Sequence, residues 1–149
     1  ALEVGKCTFT SAGDLANQGI KFVIHTVGPQ FSISESLLKQ QMQLYDAVYN
    51  ALVMATSLGC KSIAIPAISS GIFGFPVPLC AQVIFSAIHD YIKVCGQSLQ
   101  LIRLVNWDEP TTSCMMTEFE FVCKTGVPSL EYDVCRDNAT FKSLLSAKL

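Results

Sequence analysis

The sequence predicts an α/β domain with a largely parallel sheet, and three observations carry that prediction. Short apolar runs of strand length alternate with longer segments of helical periodicity, in the order strand, helix, strand, helix, strand, helix between residues 21 and 123. Such alternation builds βαβ units, whose crossovers make neighbouring strands parallel. Hydrophobic residues make up 50% of the chain and charged residues 15%, against an average of about 25% charged, so there is ample apolar material for a buried core. The length of 149 residues suits one domain rather than two.

Lys21 to Val27 is rich in β-branched residues and reads as a strand that stops at Gly28-Pro29. Ser34 or Ser36 can cap a helix running to about Leu58, with Leu37, Leu38, Leu44, Tyr45, Val48, Leu52 and Ala55 at helical spacing and Gly59 past its end. Ser62 to Pro66 is a second strand, followed by a turn-rich loop from Ala67 to Pro78. A second helix is expected from about Leu79 to Lys93, with Ile84, Phe85, Ile88 and Ile92 on one stripe. Leu99 to Asn106 alternates as a third strand, and Thr111 or Thr112 can cap a helix through Cys123. Phe141 to Leu149 reads as a short helix.

Charge and cysteine content narrow the function. A net charge of −2 gives no basic footprint, so a nucleic-acid partner is disfavoured. Apolar stretches break well before the ~18 residues of a membrane span, so no membrane partner is expected. The first residues, Ala-Leu-Glu-Val-Gly-Lys, lack a signal-peptide layout, and the missing initiator Met suggests a processed or excised chain. The seven cysteines, at 7, 60, 80, 95, 114, 123 and 135, include no C-x-x-C pair, so no metal site is expected. Cysteines inside apolar runs, such as Cys80 and Cys123, read as buried free thiols. They suit a reducing compartment, cytoplasmic or nuclear; a sequon at Asn138 is weak evidence otherwise.

In an open α/β sheet, ligands bind outside the carboxyl ends of the strands. The loop Pro66 to Pro76, PAISSGIFGFP, leaves one such end and enters a helix. Ser69, Ser70, Gly71 and Gly74 let the backbone approach a ligand, and consecutive N–H groups beside a helix N-terminus form an anion site. Phe73 and Phe75 add apolar faces, so a phosphate joined to a sugar or ring is the ligand class; a tight turn with its aromatics in the core is the competing reading. Neither G-K-[ST] nor G-x-G-x-x-G is present, which removes support for ordinary nucleotide triphosphatases and dehydrogenases. The second loop, VNWDEPTT from Val105 to Thr112, offers Asn106 and Trp107 at a strand end. Trp107 can stack on a base or close the core edge, and Asp108 and Glu109 read as a solvated turn. His25 reads as a buried structural histidine and His89 as a surface residue. Gly-x-Ser-x-Gly is absent, against an α/β-hydrolase.

The runs Val23 to Pro29, VIHTVGP, and Ile65 to Pro76, IPAISSGIFGFP, resemble the macrodomain, an ADP-ribose-binding module. Gly5 to Leu15, GKCTFTSAGDL, is similar to the family's segment before the first run, and Val105 to Asp108 to its last strand end. The resemblance covers Gly5 to Lys124 and is similar in style to macrodomains fused to poly-ADP-ribose polymerases. It implies a three-layer α/β/α fold with a mostly parallel mixed sheet over residues 1–124, leaving 125–149 as a C-terminal extension. It implies that the loop Ser69, Ser70, Gly71, Ile72, Phe73, Gly74, Phe75 wraps the diphosphate and distal ribose. The N–H groups of Ser70 to Phe73 would meet phosphate, with Phe73 beside the ribose and Asn106 and Trp107 near the ligand. The family's first strands, its adenine-binding Asp, its Asn-rich strand end and its Gly-rich first loop match nothing here, so the domain reads as N-terminally incomplete.

The expected function is a module binding ADP-ribose, free or on mono- or poly-ADP-ribosylated protein, with no cofactor besides that ligand. The alternatives are an ADP-ribosyl hydrolase, which needs an activated water and charge stabilisation, and a degenerate macrodomain serving as a structural or interaction component. No catalytic residue is assigned. Another chain or segment completing the sheet is the expected further partner, because open edges invite pairing.

Overall fold

The computed structural model describes residues 1–130. The helix expected over 141–149 and most of the 125–149 extension lie outside them. Along the chain stand β1 (Cys7–Ser11), a 3-10 helix (Gly13–Gln18), β2 (Phe22–Thr26), α1 (Leu37–Ser57), β3 (Ser62–Ile65), α2 (Val77–Cys95), β4 (Leu101–Leu104) and α3 (Glu109–Thr125). The expected alternation from residue 21 onward is present. β1 is additional: its alternating Thr-Phe-Thr core is short and polar, and pairing with β2 organises it.

Among the described residues the strands form two pairs rather than one predominantly parallel sheet. β1 and β2 are antiparallel, with Cys7 opposite Thr26 and Ser11 opposite Phe22. β3 and β4 are parallel, with Ser62 opposite Leu101 and Ile65 opposite Leu104. The α1 helix packs on β1, β2 and β3 and so spans both pairs. Thr26 Oγ1 donates to the Ala47 carbonyl at 2.9 Å, and buried Asn50 donates to the Gly5 carbonyl at 2.7 Å, tying the first pair to α1.

α1 forms because no Gly or Pro interrupts it and Ser36 Oγ accepts the Lys39 N–H at 3.3 Å. It ends at Leu58, before Gly59 with φ +74°. Leu44, Tyr45, Val48 and Leu52 are fully buried, as their spacing predicted. Leu37 and Leu38 are about half exposed instead, because the start of the helix turns Gln40 and Gln41 inward. In α2 the buried stripe is Cys80, Val83, Ile84, Ala87 and Tyr91. Ile92, expected on that stripe, faces outward. Each fully buried aliphatic side chain is worth about 1.5–3 kcal/mol, so the α1–α2 contact is the main apolar seam. Two polar pairs lie inside it: Tyr45 donates to Asp90 at 2.7 Å, and Thr56 and Tyr91 share a hydroxyl contact.

α3 is capped by Asp108 rather than by Thr111 or Thr112. The Asp108 carboxylate accepts the Thr111 N–H and hydroxyl, both at 2.9 Å. Those two bonds hold its pKa below the usual carboxylate value. What reads as a solvated turn is thus a helix start. Thr111, Met115 and Glu118 turn inward, and the Glu118 carboxylate accepts from Ser129 N–H and hydroxyl. No helix of the described residues is long and apolar enough to cross a membrane.

Candidate functional site: three loops at the strand ends

β3 ends at Ile65 and α2 begins at Val77, so residues 66–76 form the loop singled out by composition. Its shape comes from bonds within itself. The Ser70 N–H and hydroxyl both donate to the Ala67 carbonyl, at 3.1 and 2.7 Å. The Gly74 N–H donates to Gly71 O, and the Phe75 N–H to Ser69 O, both at 2.9 Å. Ser69 adopts φ +67°, a left-handed conformation rare for a residue with a Cβ. Such strain persists where the surrounding structure holds it and is common at ligand sites.

Once these bonds are made, the N–H groups of Gly71, Ile72 and Phe73 have no acceptor among the described residues, and all three residues are exposed. Ser70, expected to offer its N–H to a phosphate, spends it on Ala67 instead, because the tight turn at 67–70 needs that bond. The adjoining helix has Pro76 at its N-cap and Pro78 in its first turn, with no side-chain cap. Its positive end is therefore not neutralised by the chain itself.

Three neighbours hold the loop in place. Asn106 Oδ1 accepts the Ala67 N–H at 3.0 Å, joining the loop to the end of β4. The Cys80 thiol donates to Ile68 O at 3.3 Å from within α2; burial pushes that thiol up to about 12. Gly28, at the end of β2, lies so close that a Cβ there would stand 2.2 Å from Ser69 Oγ and 2.7 Å from Ile68 Cγ2. Ser69 Oγ is buried there without a hydrogen-bond partner among the described residues.

Two of the aromatic residues separate. Phe73 is 41% exposed on the rim, whereas Phe75 is 1% exposed in the core, its ring edge-on to Phe31 at 5.7 Å. Trp107 is wholly solvent-exposed, so it does not close the core edge. Sequence reasoning missed the third loop, residues 30–36. The Phe31 N–H donates to Phe73 O at 2.8 Å, placing this loop beside the first; the Gly28-Pro29 break followed by three serines was its signal.

Other candidates fall away from this end. His25 is exposed, not buried, because it points from the outer side of β2 and shares a 3.0 Å hydrogen bond with Thr10. His89 is partly buried, donating to Gly126 O at 3.2 Å. Cys7, Cys60, Cys80, Cys114 and Cys123 are free thiols; Cys80 is buried, while Cys123, on α3, is exposed. The described residues hold no cluster of metal-ligating side chains. A cavity of about 390 Å³ runs along β4 beneath α2 and α3, lined by Phe85, Ile88, Leu101, Met115 and Phe119 among others. Of the strand-end loops it reaches Asn106 and Thr112, and its uncharged lining does not suit a diphosphate.

The Macro domain family model matches residues 1–84. The chain is 40% identical over 105 residues to an O-acetyl-ADP-ribose deacetylase of Cronobacter turicensis, covering 70% of this chain and 56% of that protein. It is 37% identical over 131 residues to the human protein mono-ADP-ribosyltransferase PARP14, covering 83% of this chain and 7% of that protein. Among solved structures, an Oceanobacillus iheyensis macrodomain with ADP superposes with a TM-score of 0.74 at 25% identity, over 83% of this chain and 61% of that one. The chain thus spans little more than half the length of the deacetylase it matches. With the family model matching more than half of its residues, the chain belongs to the macrodomain family, and its fold is the α/β fold of that family.

Proposed function

We propose that the chain binds ADP-ribose, free or attached to protein, with the diphosphate against the loop 69–75. One observation carries the reading: three consecutive exposed N–H groups, Gly71 to Phe73, are left without acceptors beside an uncapped helix N-terminus. Phe73 and Trp107 offer exposed ring surface, one on each of the two loops that Asn106 joins. Similarity to PARP14 supports a mono- or poly-ADP-ribosylated protein as the partner. The free thiols support a reducing compartment, cytosol or nucleus.

A second reading, hydrolysis of an ADP-ribose ester or protein linkage, is favoured by the 40% identity to the deacetylase. Acetate release from O-acetyl-ADP-ribose would establish it. A strand from a further segment or chain is the remaining partner, supported by the two separate strand pairs, each strand of which has one edge unpaired among the described residues. A monodisperse monomer at high concentration in light scattering counts against a second copy in that role.

The test of binding is the melting temperature with millimolar ADP-ribose and with AMP. At about 100 times its Kd, a ligand of the folded state adds about 2.7 kcal/mol, a rise of roughly 5–10 °C for a domain of this size. A rise with ADP-ribose and little with AMP is the expected result. No rise in a cooperatively melting chain overturns the reading.

A further inference from the structure

Gln40 is buried at 3% exposure in the first turn of α1, and its amide is spent entirely on the loop before that helix. Its Oε1 accepts the Ser32 N–H at 2.7 Å. Its Nε2 donates to the carbonyls of Ser32 at 3.0 Å, Glu35 at 3.2 Å and Ser36 at 3.3 Å. One amide therefore grips both backbone polar groups of Ser32, and its two N–H hydrogens are shared among three carbonyls. A side chain with one acceptor and two N–H hydrogens is the type that can do this, and a carboxylate or an apolar residue is not.

The grip reaches the ligand loop through one residue. Phe31 precedes Ser32, its N–H holds the Phe73 carbonyl at 2.8 Å, and its ring packs on Phe75 at 5.7 Å. Phe73 closes the run of three free N–H groups, and Phe75 closes the loop through Ser69 O. Fixing Ser32 thus fixes the position from which Phe31 holds the far end of the anion-binding run. Donors held in place before the ligand arrives bind without a reorganisation cost.

We infer that Gln40 is a positioning residue for the ligand loop, acting through Ser32 and Phe31 on Phe73, about thirty residues further along the chain. The inference rests on the reading of that loop as the diphosphate site. It adds a residue in α1 that touches no ligand and sets how well the loop is preformed.

The test measures ADP-ribose affinity by calorimetry, well below the melting temperature, for wild type, Gln40→Ala and Gln40→Glu, each checked for its fold by circular dichroism. Gln40→Ala should weaken binding about tenfold. Gln40→Glu at pH 7.5 should do the same, because its carboxylate faces three carbonyl oxygens; the charged groups beside it are the exposed Glu35 and Lys39, which pair at 3.1 Å. At pH 5 the carboxyl regains a proton to donate, and the Gln40→Glu affinity relative to wild type should recover at least threefold, while that of Gln40→Ala stays flat. Amide hydrogen exchange supplies a readout without ligand: the Phe31 N–H should exchange faster in Gln40→Ala. Unchanged affinity and unchanged Phe31 exchange in folded variants would overturn the inference, since a purely structural clamp lowers only the melting temperature. Unchanged affinity loss across pH for Gln40→Glu would also count against it. If wild type fails to bind ADP-ribose while Phe31 exchange responds, the functional reading falls and the structural link stands.

Discussion

The two loops that composition singled out, 66–76 and 105–112, behave in opposite ways. Both leave the carboxyl end of a strand and enter a helix. In the second, the side-chain oxygens are consumed: Asp108 takes the Thr111 N–H and hydroxyl, and Asn106 takes the Ala67 N–H. In the first, internal bonds hold the turn while three adjacent N–H groups remain unused among the described residues. The first helix lacks a side-chain cap and the second has one. A helix that caps itself has little left to offer an anion; one that does not keeps donors for a ligand. Under the proposed function, loop 66–76 is the one that meets the ligand, while loop 105–112 supports it through Asn106 and presents one exposed ring.

The largest effect should come from filling the space that lets loop 66–76 sit where it does. Gly28→Val would place a Cβ 2.2 Å from Ser69 Oγ, displacing the strained Ser69 and everything it anchors. Overpacking of this kind costs about 1–3 kcal/mol. The expected outcome is a melting temperature lower by several degrees and ADP-ribose affinity lowered at least a hundredfold in the protein that remains folded. Titration calorimetry with near-normal affinity would show that the close approach of Gly28 is incidental to the site.

A pair of substitutions in loop 105–112 sharpens the contrast between support and contact. Asn106→Ala leaves the Ala67 N–H without its acceptor, at a cost of about 1–3 kcal/mol, so stability and affinity should both fall, the latter about tenfold. Trp107→Ala removes a side chain that is fully in solvent, and exposed sites usually move stability by less than about 0.5 kcal/mol. Its melting temperature should stay put, while ADP-ribose affinity falls several-fold, as loss of a ring contact at the weak end of the usual range, about 1 kcal/mol, would produce. Equal affinity for Trp107→Ala and wild type removes Trp107 from the site.

The contrast also explains what was legible in the sequence. Loop 66–76 was visible because Ser, Gly and Pro crowd a strand end, and the same crowding makes the turn that frees its donors. The elements with strong periodicity, α1 and α2, were visible for the same reason their stripes are buried. What stayed hidden was decided at a distance. No local pattern shows that Gln40 reaches back to Ser32, or that Phe75 turns inward to Phe31 while Phe73 stays out. His25 sits in an apolar run, yet period-two alternation sends it to the outer face of β2. The strand β1 is polar and short and gains its order from β2. Asp108 has the residue type and position of a helix cap, but the threonines at 111 and 112 drew that reading to themselves, three and four residues past the observed cap.

The smallest effect tests the self-capped half of the comparison. Asp108 has its pKa lowered, first by the Thr111 N–H and then by the Thr111 hydroxyl. A carboxyl whose pKa is lower in the folded than in the unfolded chain stabilises the fold above the unfolded value and loses that contribution as pH falls through the folded one. Asp108→Asn keeps an oxygen that can accept the Thr111 N–H but carries no charge and does not titrate. At pH 7 the wild type should melt slightly higher than Asp108→Asn. Carrying both proteins down to pH 3 should narrow that gap, since acid protonates only the aspartate. A gap that stays constant across this range would show that the charge on Asp108 contributes nothing to the cap, and that hydrogen-bond geometry alone consumes the donors of loop 105–112.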